Sequence, residues 1–282
     1  MNGTQAPAIA VRVAGRLRLT RLVMLAAAAG LLVQLATAAA TATTAKAAAK
    51  PTIVLVHGAW AGPSSWKKVA GELNADGYRT VTPRLHLMSV AEDVATVWAA
   101  LDDIRGKKVL VAHSYGGFVI SNAAAGRSDV LGLVYSAAFV PDRGDSVQSL
   151  GTGFVPSEAF NHLAFLGEPF ASPCYIEPLF FRRFFAQDLP AKRAALLNAK
   201  QQPINFPIVG TTSGPVAWHR LPSWYAVSGH DGIIDPAEER WMAKRAGSTT
   251  VEYATASHVG GITRFAGRFT NLIERAVHAT AA

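Results

Sequence analysis

The stretch Lys107–Ala125, KKVLVAHSYGGFVISNAAA, decides the fold. Lys108–Ala112 is a short apolar, β-branched run, Phe118–Ala125 reads as a buried helix, and His113-Ser114-Tyr115-Gly116-Gly117 lies between them. A strand, a sharp turn with a serine at its tip and a helix make a nucleophile elbow of the G-x-S-x-G kind. Small residues flank such a serine because the turn brings two backbone segments close and holds the hydroxyl clear of them. Here Ala112 takes the first small position, and Gly116 and Gly117 take the later ones. A bare [GA]-x-S-x-G arises by chance in about one chain in five of this length, so the strand-to-helix setting carries the weight.

Working outward, Thr52–Val56 is a continuous β-branched run of the kind shown by a parallel strand covered on both faces, and it ends in His57-Gly58-Ala59-Trp60. A helix is expected from about Ser65 to Asn74, then a second strand over Arg79–Thr82. Ser89-Val90-Ala91-Glu92 opens the next helix as a capping box, with Val90, Val94, Val97 and Leu101 on one face, and Gly106 stops it. After the elbow, Val130–Ser136 makes a fourth strand that runs into Phe139-Val140-Pro141. This alternation predicts an α/β fold with a doubly wound, mainly parallel sheet, whose ligand sites lie at the carboxyl ends of the strands. His57, Ser114 and Phe139 all fall there.

From Asp142 to Leu221 the alternation stops, and the chain becomes rich in Phe and Pro with short helical patterns. A helical lid over the strand ends is expected for 142–221, with only two or three of its aromatics facing a ligand. The core, 51–141, resumes over 222–282 with a strand at Trp224–Ser228, a helix at Pro236–Ala246, a strand at Thr250–Tyr253 and a final helix from Ile262 to Val277.

At the other end, Arg12, Arg16, Arg18 and Arg21 precede an uncharged, mainly apolar run, Leu22–Leu35, and then Ala36-Thr37-Ala38. These are the three parts of a secretory signal peptide, expected over 1–38. The run is short for a membrane span. A disordered Ala/Thr-rich linker is expected over 39–50, and the product would be secreted or periplasmic without a stable membrane anchor. Loss of 1–38 would lower the net charge from +8 to +4. Without a basic run or a stacking platform, nucleic acid is a poor partner. Cys174 is the only cysteine, so no internal disulfide forms. No paired ligand spacing among the histidines points to a metal.

A serine hydroxyl needs a base beside it, itself held by a third group. Gly229-His230-Asp231 follows the fifth strand and Ala256-Ser257-His258 the sixth, giving the chain order Ser114, Asp231, His258. Asp142 and Asp145, after the fourth strand, compete with Asp231 for the acid, and His230, His57 and His113 read as surface or structural.

The segments LVHGAW (55–60), VLVAHSYGG (109–117), LVYSAAFVPDRGDS (133–146), PSWYAVSGHDGIIDPAEERWMAKRAG (222–247) and SHVGG (257–261) resemble the α/β-hydrolases. The resemblance is to small capped bacterial esterases related to plant methylesterases and hydroxynitrile lyases. It implies that Ser114 attacks an acyl carbonyl, that His258 relays its proton and that Asp231 holds the imidazole. It also implies an oxyanion hole from the backbone N–H groups of Ala59 and Tyr115, and no cofactor. Trp60 and Phe139 are expected to contact a small or medium apolar ester. Val259 stands where the lyases carry a lysine, which argues against lyase chemistry. Amide or thioester hydrolysis, or a non-catalytic ligand-binding role, are the alternatives.

Overall fold

The computed structural model describes Met1 and residues 49–280. The expected signal peptide and most of the expected linker, residues 2–48, lie outside the described residues. The compact unit that carries the fold begins at Lys50.

Its first half is built from β1 (Thr52–Val56), a turn of 3₁₀ helix at Pro63–Trp66, α1 (Lys67–Ala75), β2 (Thr80–Val81), α2 (Val90–Asp102), β3 (Lys108–Ser114), α3 (Tyr115–Ala123) and β4 (Val130–Ala138). An insertion follows, with α4 (Val147–Leu150), β5 (Leu163–Phe165), β6 (Pro173–Ile176), α5 (Pro178–Phe185), α6 (Ala191–Asn198) and β7 (Ile204–Asn205). The core closes with β8 (Ser223–Ser228), α7 (Pro236–Arg245), β9 (Thr249–Tyr253) and α8 (Ala266–Thr280).

Six strands form one parallel sheet in the order β2-β1-β3-β4-β8-β9. Every residue of β1 and β3 is buried, which is why both read as unbroken apolar runs and not as alternating ones. Helix α2 buries the Val90, Val94, Val97 and Leu101 face, and its N-cap Ser89 accepts from the Glu92 N–H. The chain leaves β1 towards the β2 edge and returns on the other side to β3. The sheet order therefore reverses between β1 and β3, and a crevice opens where it does. His57 and Ser114 stand at those two strand ends.

The insertion differs from the all-helical expectation. Beside its helices it carries a three-stranded antiparallel sheet, β5-β6-β7. Strands this short give no period-2 signal, and Phe and Pro fit either state.

Two buried contacts shape the strand ends. At the β3 exit the register with β4 slips, so that His113 faces Ser136 but Ser114 faces Ala138. The residue skipped, Ala137, has φ 44°. The Tyr225 hydroxyl from β8 repairs the ladder there: it donates to the Ala138 carbonyl at 2.7 Å and accepts from the Ala138 N–H at 2.9 Å. At the β1 exit, His57 Nδ1 donates to Gly58 O (2.9 Å) and Nε2 accepts from the Leu85 N–H (3.0 Å). Burial lowers the His57 pKa to about 4, so the ring is neutral.

Replacing Tyr225 by Phe leaves the Ala138 N–H and C=O buried without partners, and should lower stability by about 1–3 kcal/mol in urea denaturation. His57 binds a proton more readily unfolded, at pKa 6.5, than folded, at about 4. Its share of the stability is thus present above the upper value and is lost as pH falls through that window. The variant His57→Gln should show a shallower loss of stability on acidification there, by ~1.4 kcal/mol per pH unit at most.

Candidate active site

Ser114 sits at the tip of the β3–α3 turn with φ 56° and ψ −130°, a conformation that costs a non-glycine residue about 1–3 kcal/mol. Two glycines make room for it. A Cβ on Gly58 would lie 2.5 Å from the Ser114 Cβ, and one on Gly116 would lie 2.6 Å from the Val56 carbonyl oxygen. Any side chain at either position would drive the two turns apart.

Ala59, Trp60, Ser114, Tyr115 and Phe139 line one small chamber of about 40 Å³. A larger chamber of about 460 Å³ adjoins it, with Phe139, Val147, Phe160, Phe206, Val209 and Ile233 common to both walls. Of the insertion's aromatics, Phe160 and Phe206 reach this double cavity. Others pack among themselves, as Phe181 does on Phe185 with ring centroids 4.8 Å apart.

The loop after β8 brings Asp231 to the loop after β9. His258 Nδ1 donates to Asp231 Oδ2 at 2.7 Å, with both side chains fully buried. The other oxygen, Oδ1, accepts from the Ile233 and Ile234 N–H groups at 2.7 and 3.0 Å. With Nδ1 protonated against the carboxylate, His258 Nε2 is left with its lone pair, and it has no hydrogen-bond partner among the described residues. Behind the ring, His113 Nε2 donates to the His258 carbonyl at 2.9 Å, and Phe185 meets the imidazole edge-on. Burial holds the His113 pKa well below its ordinary value, so that ring is neutral.

The competing acids are engaged elsewhere. Asp142 accepts from His219 at 2.9 Å, and Asp145 accepts from Arg245 at 2.8 Å. His230 is exposed. Cys174 is buried, with its thiol pushed up to about 11 by burial, and its backbone carbonyl accepts from Trp60 Nε1. Among the described residues no cluster of three or more His, Cys, Asp or Glu could hold a metal ion, and no helix is long and apolar enough to cross a membrane.

Two buried acids escaped the sequence reading. Asp93, on the buried face of α2, accepts from the Tyr115 hydroxyl (2.9 Å) and from the His86 and Leu87 N–H groups. It ties the residue after Ser114 to the β2–α2 loop. Glu239, in α7, accepts from the Ser228 N–H through Oε2 at 3.0 Å. Burial first, and then the negative Asp231, push Glu239 well above the usual carboxyl range, so it stands protonated, and its Oε1 has no hydrogen-bond partner among the described residues. The only sequence signal for it was a second acid in the first turn of the helix that follows Asp231.

The insertion is fastened to these loops. Val259 N donates to Phe185 O at 3.2 Å, and the Ser257 hydroxyl to Asp188 at 2.5 Å. Ser157 donates to Gly232 O and Gln187 to His230 O.

Residues 53–265 match the alpha/beta hydrolase family. A carbendazim hydrolyzing esterase from a Nocardioides species is 36% identical over 122 residues, covering 37% of this chain and 49% of that protein. A putative methylesterase from Arabidopsis thaliana is 26% identical over 223 residues, covering 69% of this chain and 85% of that one. Among solved structures, a pyrethroid hydrolase from Sphingobium faniae superposes with a TM-score of 0.69 at 21% identity, over 82% of this chain and 98% of that one. An Arabidopsis methylesterase superposes with a TM-score of 0.68 at 17% identity, over 81% and 99%. The parallel sheet, the serine turn and a family match over most of the described chain agree: this chain belongs to the alpha/beta hydrolase family.

Proposed function

We propose that the protein is an exported serine hydrolase that cleaves carboxylic esters of small to medium apolar substrates through an acyl-enzyme. The observation that supports this most is the buried Asp231–His258 pair, which fixes the imidazole tautomer and leaves Nε2 free to accept a proton. Relatives named as esterases and hydrolases support the reaction class. The support for export is the arginine-led apolar segment over 1–38.

In this reading the ester carbonyl sits in the small chamber. The Ser114 hydroxyl adds to the carbonyl carbon as its proton passes to His258 Nε2. The oxyanion is held by the Ala59 and Tyr115 N–H groups, each such donor being typically worth about 2.7–4 kcal/mol. Asp231 stabilises the imidazolium. The intermediate collapses as His258 returns the proton to the leaving alcohol. Water, deprotonated by the same nitrogen, then releases the acid and restores Ser114. Glu239 is a positioning residue, fixing the end of β8 through the Ser228 N–H and keeping a neutral carboxyl near Asp231.

A fluorophosphonate probe should label Ser114, as read by peptide mapping, and hydrolysis of short-chain p-nitrophenyl esters should fall about 10⁴-fold or more in Ser114→Ala. Labelling that persists in Ser114→Ala would overturn the mechanism, and faster turnover of matched anilides would overturn the ester assignment. Gly58→Ala should retain the fold yet lose about a hundredfold in kcat/KM, because the added methyl meets Ser114 itself. Glu239→Gln keeps a neutral polar group near Asp231 and an acceptor for the Ser228 N–H, whereas Glu239→Leu keeps neither. The first should stay near wild type and the second should lose about a hundredfold in kcat, with the pH–rate profile shifted in the second alone.

A further inference from the structure

The larger chamber holds a carboxyl group that the reaction does not use. Glu238, in the first turn of α7, is 5% exposed and lines this chamber. Its Oε1 has no hydrogen-bond partner among the described residues. Its Oε2 lies 3.9 Å from where a Gly151 Cβ would stand, on the same wall. The neighbouring Asp235 is already engaged: Oδ1 accepts from the Ala237 N–H and Oδ2 from the Val155 N–H. No Lys, Arg or His lines the chamber, and its remaining wall is largely apolar, with the rings of Phe139, Phe160 and Phe206.

A carboxylate buried without a partner costs several kcal/mol, and a cation that reaches it recovers much of that cost. Aromatic faces around the same space attract a cation further. From this geometry we infer that the larger chamber recognises a basic nitrogen, carried as an ammonium group on one arm of the ester, with Glu238 as its counter-charge. This rests on the esterase reading, since the other end of the same molecule must lie at Ser114. Burial, and then the negative Asp235 and Asp231, push Glu238 up to about 7. Glu239 and Tyr225 also feel its charge, and neither is basic. An arriving ammonium group would therefore meet no competitor inside the cavity.

The test uses esters that differ only in the basic nitrogen, assayed at about pH 8, where Glu238 is ionised. One pair puts the nitrogen on the alcohol arm, as dimethylaminoethyl butyrate against isopentyl butyrate. The other puts it on the acyl arm, as methyl γ-dimethylaminobutyrate against methyl isoheptanoate. Wild-type protein should favour the basic member of at least one pair by about tenfold in kcat/KM. That ratio should fall to about one in Glu238→Gln and in Glu238→Met. Ratios near one in wild type, or a preference that survives both substitutions, would overturn the inference. Should wild type hydrolyse none of these esters and Ser114 resist the fluorophosphonate, the esterase reading is what has failed. Calorimetric binding of dimethylaminoethyl butyrate to Ser114→Ala protein, with and without Glu238→Gln, then decides the site alone. Binding about tenfold tighter with Glu238 present supports it, and equal or absent binding refutes it.

Discussion

Ser114 holds a backbone conformation that a side chain resists, and much of the surrounding structure answers to that one constraint. Strain of this kind persists only where the neighbours leave no alternative. Gly58 and Gly116 remove the atoms that would collide, so the β1 and β3 exits can touch. Helix α3 is buried along nearly its whole length, which denies the turn a soft side into which it could relax. The register opposite Ser114 slips past Ala137, and the Tyr225 hydroxyl takes up both backbone groups of Ala138, which lies beyond the last β4–β8 pair. Asp93 then grips Tyr115 by its hydroxyl, fixing the first residue of the helix from the far side.

A second constraint is the number of acids that follow β8. Asp231, Asp235, Glu238 and Glu239 crowd into one short segment, and a dry site cannot ionise them all. The hydrogen bonds sort them. Asp231 receives two N–H groups and the His258 ring. Asp235 takes the helix N-terminus. Glu239 is kept neutral by its burial and then by the negative Asp231, which removes the like-charge conflict. Glu238 and Glu239 each keep an Oε1 without a partner among the described residues, but Glu239 is fully enclosed, whereas Glu238 borders the larger chamber.

The sheet was legible in the sequence because strands buried on both faces are continuous β-branched runs, and the serine turn because its glycines and its strand and helix neighbours each restrict the reading. His258 and Asp231 were legible through their positions after successive strands. Asp93 was not. In a sequence it is one more acid in the first turn of a helix, where it suits the helix dipole, and only the fold brings the Tyr115 hydroxyl to it. Glu239 was hidden in the same way, since Ser228, whose N–H it accepts from, lies across a turn whose path the spacing does not reveal. The strands of the insertion were missed because two to four residues carry no usable period. The bulge at Ala137 depends on a tyrosine in a non-adjacent stretch of chain.

The insertion is bonded to both banks of the crevice. On one side it is held through Phe185, Asp188, Gln187 and Ser157 to the loops that carry His258 and Asp231. On the other, Trp60 donates to Cys174 O, Gln202 to Ala61 O and Asn205 to Met88 O. Lifting it as a rigid flap would break all of these bonds together, at about 0.5–1.5 kcal/mol each, and would loosen the loops that hold the Asp231–His258 pair. The larger chamber adjoins the one that holds Ser114, and Val155, on its wall, is 74% exposed. Entry by that chamber would leave the Asp231–His258 hydrogen bond in place while a ligand arrives. The site's selectivity then resides in the shape and charge of a wall already formed, not in a closing motion.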